Sequence, residues 1–469
     1  MVIVAKTFSN RTVAVMGLAR SGRSSVSSLI AGGADVVAWD DNEERRIESA
    51  AAGVKIKDLA TENFKSIDAL VLSPGVPHSF PKPHEAVRNA KNSGVPIIGD
   101  IEIFVNNYEK ARIIGVTGTN GKSTTTALIG HILSCLGIDN DVAGNIGRPV
   151  LDLNTGAKKG FQILELSSYQ LELTPSLQCE IGVLLNISPD HLDRHGGMDG
   201  YIAAKHRIID SLQPNATAVI GVDDERSASI YEAVRQKGRV SVIPVSGNCI
   251  PPGGIGVKNN EIKSDISGKL RSIIDLTYSK TLVGSHNHQN VAAAAAVALS
   301  IGLEEDSIIP ALVNFDGLPH RQELVREQHG ISFINDSKAT NAEAAARALA
   351  SYKSIYWIAG GLSKKGGIAS IVDNLENVQQ AFLIGASAQE FFEILKEKIE
   401  CTICRDLKHA TQLATTRALQ KKGESSVILL SPAAASFDQF GSYEERGDQF
   451  RTFVVNQKLG GSKKLRDTL

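Results

Sequence analysis

Residues 115–124, GVTGTNGKST, form a glycine-rich turn between an apolar run and a helical pattern. The β-branched run at 111–116 predicts a buried strand, and 124–136 keeps apolar residues at helical spacing. This order predicts a loop whose backbone N–H groups and following helix bind nucleotide phosphates. We expect Lys122 to reach the terminal phosphates and Ser123 to bind a magnesium ion. Because position 116 is Val116, only the shorter TGTNGKST pattern applies and not the general GxxxxGK[ST] pattern.

Composition limits the class of protein. The 469 residues suggest about three domains, and 42% hydrophobic residues with a net charge of −1 are typical of a globular enzyme. No excess of basic residues is available to attract nucleic acid. The longest apolar-rich run, 291–303, is too short to span a membrane, and the first residues lack the apolar centre of a signal peptide. We therefore expect a cytoplasmic protein with no nucleic-acid or membrane partner.

The cysteines do not suggest a disulfide framework, because five residues at 135, 179, 249, 401 and 404 are few and odd in number. Cys401 and Cys404 form a CxxC pair. The sequence around it has no second CxxC pair, and the motif lies late in an α/β pattern, so we interpret the spacing as incidental.

The first 110 residues have the pattern of a nucleotide-binding βαβ unit. The turn from Gly17 to Gly22 is a degenerate GxGxxG with Ala19 in the second place, and Asp40 and Asp41 close the next strand. A third strand, 68–72, ends in the Ser-Pro-Gly turn at 73–75. A ligand site and a purely structural turn both remain open, because an imperfect copy of this motif is weak evidence.

Two further strand and helix alternations follow, one from about residue 112 and one from about residue 330. The strands of the second are predicted at 161–166, 181–186 and 218–222, and those of the third lie in ISFIND, SIYWIAGG, QQAFLIG and SVILLSPA. The predicted fold class is therefore α/β with three domains. These are a Rossmann-like domain at 1–110, a central P-loop ATPase-like domain with a mostly parallel sheet at 111–318, and a Rossmann-like domain at 319–469.

Two groups of polar residues follow apolar strands of the central segment. Glu165 ends FQILE, where burial of a carboxylate needs a partner such as a metal, although an exposed strand-end glutamate remains possible. SPDHLDRH supplies Asp190, His191, Asp193 and His195. This cluster suits magnesium only in part, because magnesium prefers oxygen ligands, and a polar loop with helix caps is equally consistent with it.

Seven motifs in order resemble the Mur ligases over almost the full length of the chain: TGTNGKST, LELSSYQLE, NISPDHLDRH, AAKHRI, GLPHR, NDSKATN and LLSPAAASFDQF. The resemblance implies an ATP-dependent ligase of bacterial peptidoglycan precursor synthesis. It implies that the L-alanyl carboxylate of UDP-N-acetylmuramoyl-L-alanine attacks the γ-phosphate of ATP. The resulting acyl phosphate then reacts with the amine of D-glutamate, and ADP and phosphate leave.

The resemblance also implies the residues that bind each ligand. Two magnesium ions would be held by Ser123 with Glu165 and by His191 with a carbamylated Lys205, and the catalytic set is Lys122, Lys205, His191 and Glu165. The implied ATP contacts are Gly118, Thr119, Asn120, Gly121, Lys122, Ser123, Thr124, Asn290, Arg321 and Asp336. The implied contacts of the UDP substrate are Ser21, Asp40, Asp41, Ser73, Gly75 and Asn145. The implied D-glutamate contacts are Thr340, Lys364, Ser436, Phe437 and Tyr443, with Lys365 as an alternative to Lys364.

Several alternatives remain at this point. From the sequence alone, Lys205 is better explained as an exposed lysine on a helix surface. The family member that adds meso-diaminopimelate or lysine carries a DNP-R-type signature, which the third segment lacks, and a folylpolyglutamate synthase would begin close to its phosphate loop. A regulatory ATP-binding module is disfavoured by the NDSKATN and SPAAASFDQF motifs. We expect a monomer that uses small-molecule substrates.

Overall fold

The structure is a computed structural model that describes residues 2–108, 111–153, 160–279, 281–282, 285–363, 366–421 and 425–457. Its contacts divide the chain into two compact units. The first unit comprises Met1–Ser279 and Ser285–Phe315, and the second comprises Lys280–Gly284 and Asp316–Leu469. Within the described ranges, the first unit contains two sheets and the second contains one, so the predicted three-part α/β fold class is confirmed. The three predicted domain ranges stay predictions.

The N-terminal sheet is a parallel, doubly wound sheet in the strand order β3-β2-β1-β4-β5 over the residues described. Its chain order reverses between β1 and β4, and ligands of open α/β sheets bind beside the carboxyl ends of strands at such a point. The elements are β1 Thr12–Met16, α1 Arg20–Ala31, β2 Asp35–Trp39, α2 Glu43–Ala51, β3 Lys55–Ile56, β4 Ala69–Leu72, α3 Glu85–Asn92, β5 Ile97–Ile98 and α4 Asp100–Asn107.

The central sheet has the order β14-β13-β12-β11-β10-β9-β6-β8-β7 in the described part of the chain. Strands β6 to β12 pair in parallel, whereas β13 and β14 are antiparallel additions at one edge. Its strands are β6 Arg112–Thr117, β7 Asn140–Gly144, β8 Phe161–Glu165, β9 Cys179–Leu184, β10 Leu212–Gly221, β11 Ser241–Val245, β12 Ile255–Lys258, β13 Glu261–Ser264 and β14 Arg271–Asp275. Its helices are α5 Lys122–Cys135, α6 Ser168–Glu172, α7 Leu192–His195, α8 Met198–Asp210, α9 Glu225–Lys237, α10 Ser285–Ser300 and α11 Glu305–Val313.

One cluster of buried apolar side chains extends through both sheets of the first unit and includes Val15, Phe104 and Leu164. The central strands β6, β8 and β9 are buried on both faces, which explains their continuous apolar sequences. The phosphate loop follows β6, which lies between β8 and β9. Polar residues after these three strands are therefore brought to one edge of the sheet.

The sheet of the second unit has the order β15-β16-β20-β17-β18-β19 over its described residues. All neighbours pair in parallel except β15, which is antiparallel to β16. Separate apolar clusters around Trp357 and around Phe333 complete the core. The elements are β15 Glu323–Gln328, β16 Ile331–Asn335, α12 Ala342–Ser351, β17 Ile355–Gly360, β18 Val378–Ile384, α13 Ala388–Leu395, β19 Glu400–Ile403, α14 Leu407–Gln420, β20 Ser426–Leu430 and α15 Tyr443–Asn456.

No helix in the described ranges is both long and apolar enough to cross a membrane. The five cysteines are free. Burial raises the pKa of the Cys401 and Cys404 thiols to about 11, so both are protonated at neutral pH.

Candidate active site at the phosphate loop

The phosphate loop requires glycine at Gly121, the residue that precedes α5. Gly121 has φ +85, which side-chain-bearing residues rarely adopt. A Cβ atom there would lie 2.1 Å from Oδ1 of Asn290, on α10. The same Asn290 oxygen accepts a hydrogen bond from Oγ1 of Thr125 at 3.3 Å. The structure therefore brings Asn290, which is distant in sequence, against the loop.

Asn186, which follows β9, fixes the middle of the loop. Its backbone oxygen accepts from the Thr119 amide at 2.8 Å, and its Oδ1 accepts from the Asn120 amide at 2.9 Å. Its Nδ2 donates to Oε1 of Gln289 at 2.8 Å, and Gln289 donates to Oδ2 of Asp223 at 2.8 Å. The sequence analysis did not single out Asn186, Gln289 or Asp223. The position of Asn186 directly after a buried strand was the available signal.

The side-chain nitrogens of two lysines share one acceptor in the loop. Nζ of Lys122 donates to the carbonyl oxygens of Gly118 at 2.9 Å and Thr119 at 2.8 Å, and Nζ of Lys205 donates to the same Gly118 oxygen at 2.7 Å. Lys205 is only 2% exposed, so the alternative of a helix-surface lysine is wrong. Burial, reinforced by the charge of Lys122, lowers the pKa of Lys205 well below its usual value. The environment therefore favours the neutral amine of Lys205.

Glu165 ends β8 and is 2% exposed, so the alternative of an exposed glutamate is wrong as well. Its Oε1 accepts from Nδ2 of Asn145 at 2.9 Å, while its Oε2 is buried with no hydrogen-bond partner among the described residues. A buried carboxylate oxygen without a partner is costly unless a cation binds it. Ser123 and Thr124 are also buried, in the first turn of α5.

The residues fit the magnesium ions that the family implies. The orphaned Glu165 oxygen and the Ser123 hydroxyl are oxygen donors, which magnesium prefers, and nucleotide phosphates supply further oxygens. Among the described residues, no group of three or more His, Cys, Asp and Glu side chains could hold a metal by itself. A metal at this site would therefore need donors of other kinds as well, such as hydroxyl and phosphate oxygens.

His191 precedes α7 in a left-handed conformation, with φ 51. Its ring centroid lies 5.6 Å from that of Tyr169, and its Nε2 lies 3.4 Å from Oδ2 of Asp190. Burial lowers the pKa of His191. The negative charge of Asp190 opposes this shift, and the positive charge of Lys122 adds to it. The neutral imidazole is the form that binds metals.

Two other members of SPDHLDRH, His195 and Asp193, differ in their burial. His195 is buried between α6 and α7, with Nε2 2.9 Å from Oγ of Ser168 and Nδ1 3.2 Å from Oε1 of Glu172. Its ring stacks on Tyr169 at a centroid distance of 5.1 Å. Asp193 is exposed. His195 therefore packs two helices together, which the sequence alone did not reveal.

Five of the six predicted contacts of the UDP substrate follow strands or begin a helix of the N-terminal sheet domain, and the sixth, Asn145, follows a strand of the central sheet. Oγ of Ser73 donates to the Gly17 carbonyl at 2.9 Å, and Oδ2 of Asp40 accepts from the Leu18 amide at 2.6 Å. The glycine-rich turn is therefore held from β2 and from the end of β4. The remaining predicted contacts are Ser21 in α1, Asp41 beside His84, Gly75 and Asn145 after β7. The carbonyl oxygen of Gly75 accepts a hydrogen bond from Arg194 at 3.1 Å.

The second unit carries the remaining residues that are predicted to contact ATP and those predicted to contact the amino-acid substrate. Asp336 follows β16 and accepts from Oγ of Ser431 at 2.8 Å and from the Gln322 amide at 3.2 Å. Burial raises the pKa of Asp336 to about 7, although the charge of Arg321 opposes the shift. These two residues are thus neighbours within this unit.

The described residues that are predicted to contact D-glutamate lie on two loops of the second unit and at the start of α15. Ser436 is buried after β20, whereas Phe437 is 71% exposed. Thr340 is partly buried after β16, and the ring of Tyr443, at the start of α15, lies 5.6 Å from Nζ of Lys338. Lys364 and Lys365 lie outside the described residues, so which of them serves the site stays open.

The family assignment follows from comparison with known proteins. Three family models match the chain: "Mur ligase MurD-like, N-terminal domain" over residues 11–99, "Mur ligase middle domain" over 116–298 and "Mur ligase, glutamate ligase domain" over 320–434. The chain belongs to the Mur ligase family.

Individual relatives are more specific. The chain is 45% identical to a UDP-N-acetylmuramoylalanine--D-glutamate ligase of Caulobacter sp. (strain K31), covering 96% of this chain and 97% of the relative. It is also 45% identical to the enzyme of that name from Rhodospirillum rubrum, covering 96% and 95%.

Solved structures agree on the fold. UDP-N-acetylmuramate-alanine ligase MurC from Thermotoga maritima matches 96% of this chain and 100% of its own, with a TM-score of 0.59 at 18% identity. The MurF ligase of the same organism, solved with ADP, matches 97% of both chains, with a TM-score of 0.58 at 17% identity.

Proposed function

We propose that this protein is an ATP-dependent ligase that forms an amide bond between UDP-N-acetylmuramoyl-L-alanine and D-glutamate in peptidoglycan precursor synthesis. The observation that carries the reaction class is the pair Lys122 and Lys205, which meet at the Gly118 carbonyl near the buried carboxylate of Glu165. The choice of substrates is supported by the near full-length identity to ligases named for D-glutamate.

The reaction requires two anions, a carboxylate and a triphosphate, to approach each other. Lys122 bears a positive charge at the loop that binds the phosphates and neutralises charge that develops on the transferred phosphoryl group. The carboxylate oxygen of the acceptor substrate forms a bond to the γ-phosphorus, and the bond to the ADP oxygen breaks. Magnesium bound by Ser123 and Glu165 would supply further charge neutralisation.

The second step forms the amide. The neutral amine of D-glutamate attacks the acyl-phosphate carbon, a proton leaves the nitrogen, and inorganic phosphate departs from the tetrahedral intermediate. We assign D-glutamate to the second unit, where Thr340, Ser436, Phe437 and Tyr443 lie on neighbouring loops and Lys364 is the expected cation. The remaining ATP contacts are assigned to Asn290 in the first unit and to Arg321 and Asp336 in the second.

Lys205 acts as a carbamate in this proposal. Its lowered pKa favours the neutral amine, whose lone pair attacks CO2; a nitrogen–carbon bond forms and one proton leaves. The product is an anion, which would bind a second magnesium ion together with His191, whereas an ammonium would repel it. The end of the Lys205 side chain is buried beside a backbone carbonyl and the Tyr201 ring, which protects it from bulk water.

The decisive experiment is ATP turnover with UDP-N-acetylmuramoyl-L-alanine and a panel of amino acids. We expect phosphate release that requires both substrates and that is fastest with D-glutamate, whereas D-glutamine, which lacks one carboxylate, is a poor substrate. Efficient use of meso-diaminopimelate without D-glutamate would assign the chain to another branch of the family. Phosphate release without either substrate would favour a regulatory ATPase. Light scattering in the same preparation tests the expected monomer.

A further inference from the structure

Arg446 is a buried cation that forms no ion pair with a carboxylate among the described residues. It lies in α15 and is 1% exposed. Its NH2 group donates to the carbonyl oxygens of Ser337 at 2.9 Å and Ala434 at 3.1 Å, and its Nε donates to Oγ of Ser337 at 3.0 Å. Its NH1 group lies 3.5 Å from the Gly360 carbonyl oxygen. Asp438, an exposed residue, is the described acidic group whose charge acts on it, and no ion pair joins the two in the described structure.

The acceptors of Arg446 belong to three different loops at one edge of the sheet. Ser337 follows β16, Ala434 follows β20 and Gly360 ends β17. These three strands are parallel neighbours, so their carboxyl ends meet at that edge. The loops after β16 and β20, and α15 itself, also carry described residues of the proposed D-glutamate site: Thr340, Ser436 and Tyr443 respectively.

The surrounding chain is shaped around the guanidinium group. Ser337 accepts from Nε of Arg446 through its Oγ and donates from the same oxygen to the Tyr443 carbonyl at 2.8 Å, which ties the loop to the start of α15. Gly361 has φ +135, and a Cβ atom there would lie 2.2 Å from the Ala435 carbonyl oxygen and 3.2 Å from NH1 of Arg446. The close approach of the two loops therefore excludes a side chain at Gly361.

Only arginine can make this set of contacts. Its planar fork presents five N–H donors in fixed directions, whereas a lysine ammonium is a single point on a flexible stem. Burial lowers the pKa of Arg446 to about 10, so the group remains cationic at neutral pH. Because its hydrogen-bond acceptors are neutral, the positive charge is not cancelled locally and favours an anion at this edge of the sheet.

We propose that Arg446 is the positioning residue of the amino-acid site: it holds the loops after β16, β17 and β20 in register and makes their common edge electrostatically suited to a dicarboxylate. It acts through these loops and does not touch the reacting atoms. This inference rests on the proposed function, because it concerns the affinity for D-glutamate.

The test compares Arg446→Met and Arg446→Lys with the wild-type enzyme. Methionine keeps apolar volume but removes charge and donors, whereas lysine keeps the charge and loses the fork. We expect the KM for D-glutamate to rise by about tenfold or more in Arg446→Met and by less in Arg446→Lys. The KM values for ATP and for the UDP substrate should stay within about twofold of wild type.

Arg417→Met is the matched control, because Arg417 lies in α14 of the same unit with 51% of its side chain exposed and its guanidinium forms a long ion pair to Glu400 at 3.7 Å. It should leave all three KM values unchanged. A merely structural role of Arg446 would lower the amount of folded enzyme, and hence the apparent kcat, without a selective change of the D-glutamate KM. An unchanged D-glutamate KM in active Arg446→Met overturns the inference.

If Arg446→Met does not fold, Arg446→Lys decides: a selective rise of the D-glutamate KM supports the inference and an unchanged value overturns it. Failure of the proposed function has a different signature, because the wild-type enzyme itself would then not consume D-glutamate.

Discussion

At the scale of single residues, the site is defined by charged groups removed from water. Lys205, Glu165 and Asp336 are each at least nine-tenths buried. Burial lowers the pKa of Lys205 and raises the pKa of Asp336. The cost of burying a charge shifts protonation toward the neutral form or is offset by a bound ion of opposite charge. This balance makes individual substitutions informative.

Lys205→Ala should abolish most ligase activity, because the proposed carbamate anion is lost. Added short carboxylates such as formate or acetate should restore part of the activity, since they offer the missing anionic oxygens. Lys237→Ala, at an exposed end of α9, is the control. It should keep its ligase activity, and added carboxylates should not alter that activity. Phosphate release measures both effects, and full activity of Lys205→Ala without additive would contradict the role.

Asp336 should make the protein less stable as the pH rises. Its pKa is raised from 3.8 to about 7 in the folded protein, so the folded state retains a proton that the unfolded state loses between these values. Stability from this group is therefore fully present below about pH 4 and is lost as pH rises to about 7. Asp336→Asn removes this dependence.

The measurement is the Tm of Asp336→Asn minus that of wild type, without ligands. We expect the difference to increase from pH 5 to pH 8, corresponding to roughly 1–4 kcal/mol over the full titration. The contributions of other titrating groups to the Tm are shared by both proteins and cancel in the difference. A constant difference across this range would show that Asp336 is ionised throughout.

At the scale of elements, the phosphate loop depends on helices and strands far apart in sequence. The loop and α5 follow β6, while α10 supplies Asn290 and Gln289 against them. The two ends of α5 offer a test of this packing, since Gly121 precedes the helix and Gly137 follows it, both with positive φ.

Gly121→Ala should greatly weaken ATP binding, because its Cβ would overlap with Asn290. Gly137→Ala carries the same kind of backbone strain, with φ +71, but a Cβ there meets nothing within 4 Å. We expect Gly137→Ala to lose about 1 kcal/mol of stability and to keep its ATP affinity. Calorimetric titration with ATP compares the two, and equal affinities would refute the packing argument.

At the scale of the whole molecule, the three sheets divide the work. In this proposal the N-terminal sheet binds the UDP group, the central sheet carries the phosphate loop, and the sheet of the second unit takes the amino acid. Asp40 is the sharpest probe of this division, since its carboxylate holds the Leu18 amide of the N-terminal turn and lies outside the phosphate loop.

Asp40→Ala should raise the KM for the UDP substrate more than it lowers kcat, because it removes binding that is equal in the ground state and the transition state. Asp35→Ala serves as the control: Asp35 is an exposed residue at the other end of β2, paired with Lys55. Steady-state kinetics measure both variants. A fall in kcat at constant KM would place Asp40 in the chemical step.

Local sequence was enough to predict the phosphate loop, several strands that follow it along the chain and the α/β class. Turn chemistry and apolar periodicity act over a few neighbouring residues. It did not reveal the antiparallel strands β13, β14 and β15, whose pairing depends on partners elsewhere in the sheet. The burial of Lys205 was likewise open, since its helix has both exposed and buried faces.

The tertiary structure decided which polar residues meet. His195 was grouped with His191 in sequence, yet His195 is buried against Ser168 and Glu172 of α6, whereas His191 is exposed beside Asp190. Asn290 and Arg446 reach their partners only through the assembled sheets. A sequence states which chemical groups are present, whereas burial, hydrogen-bond partners and the resulting charge states arise only when distant segments share one environment.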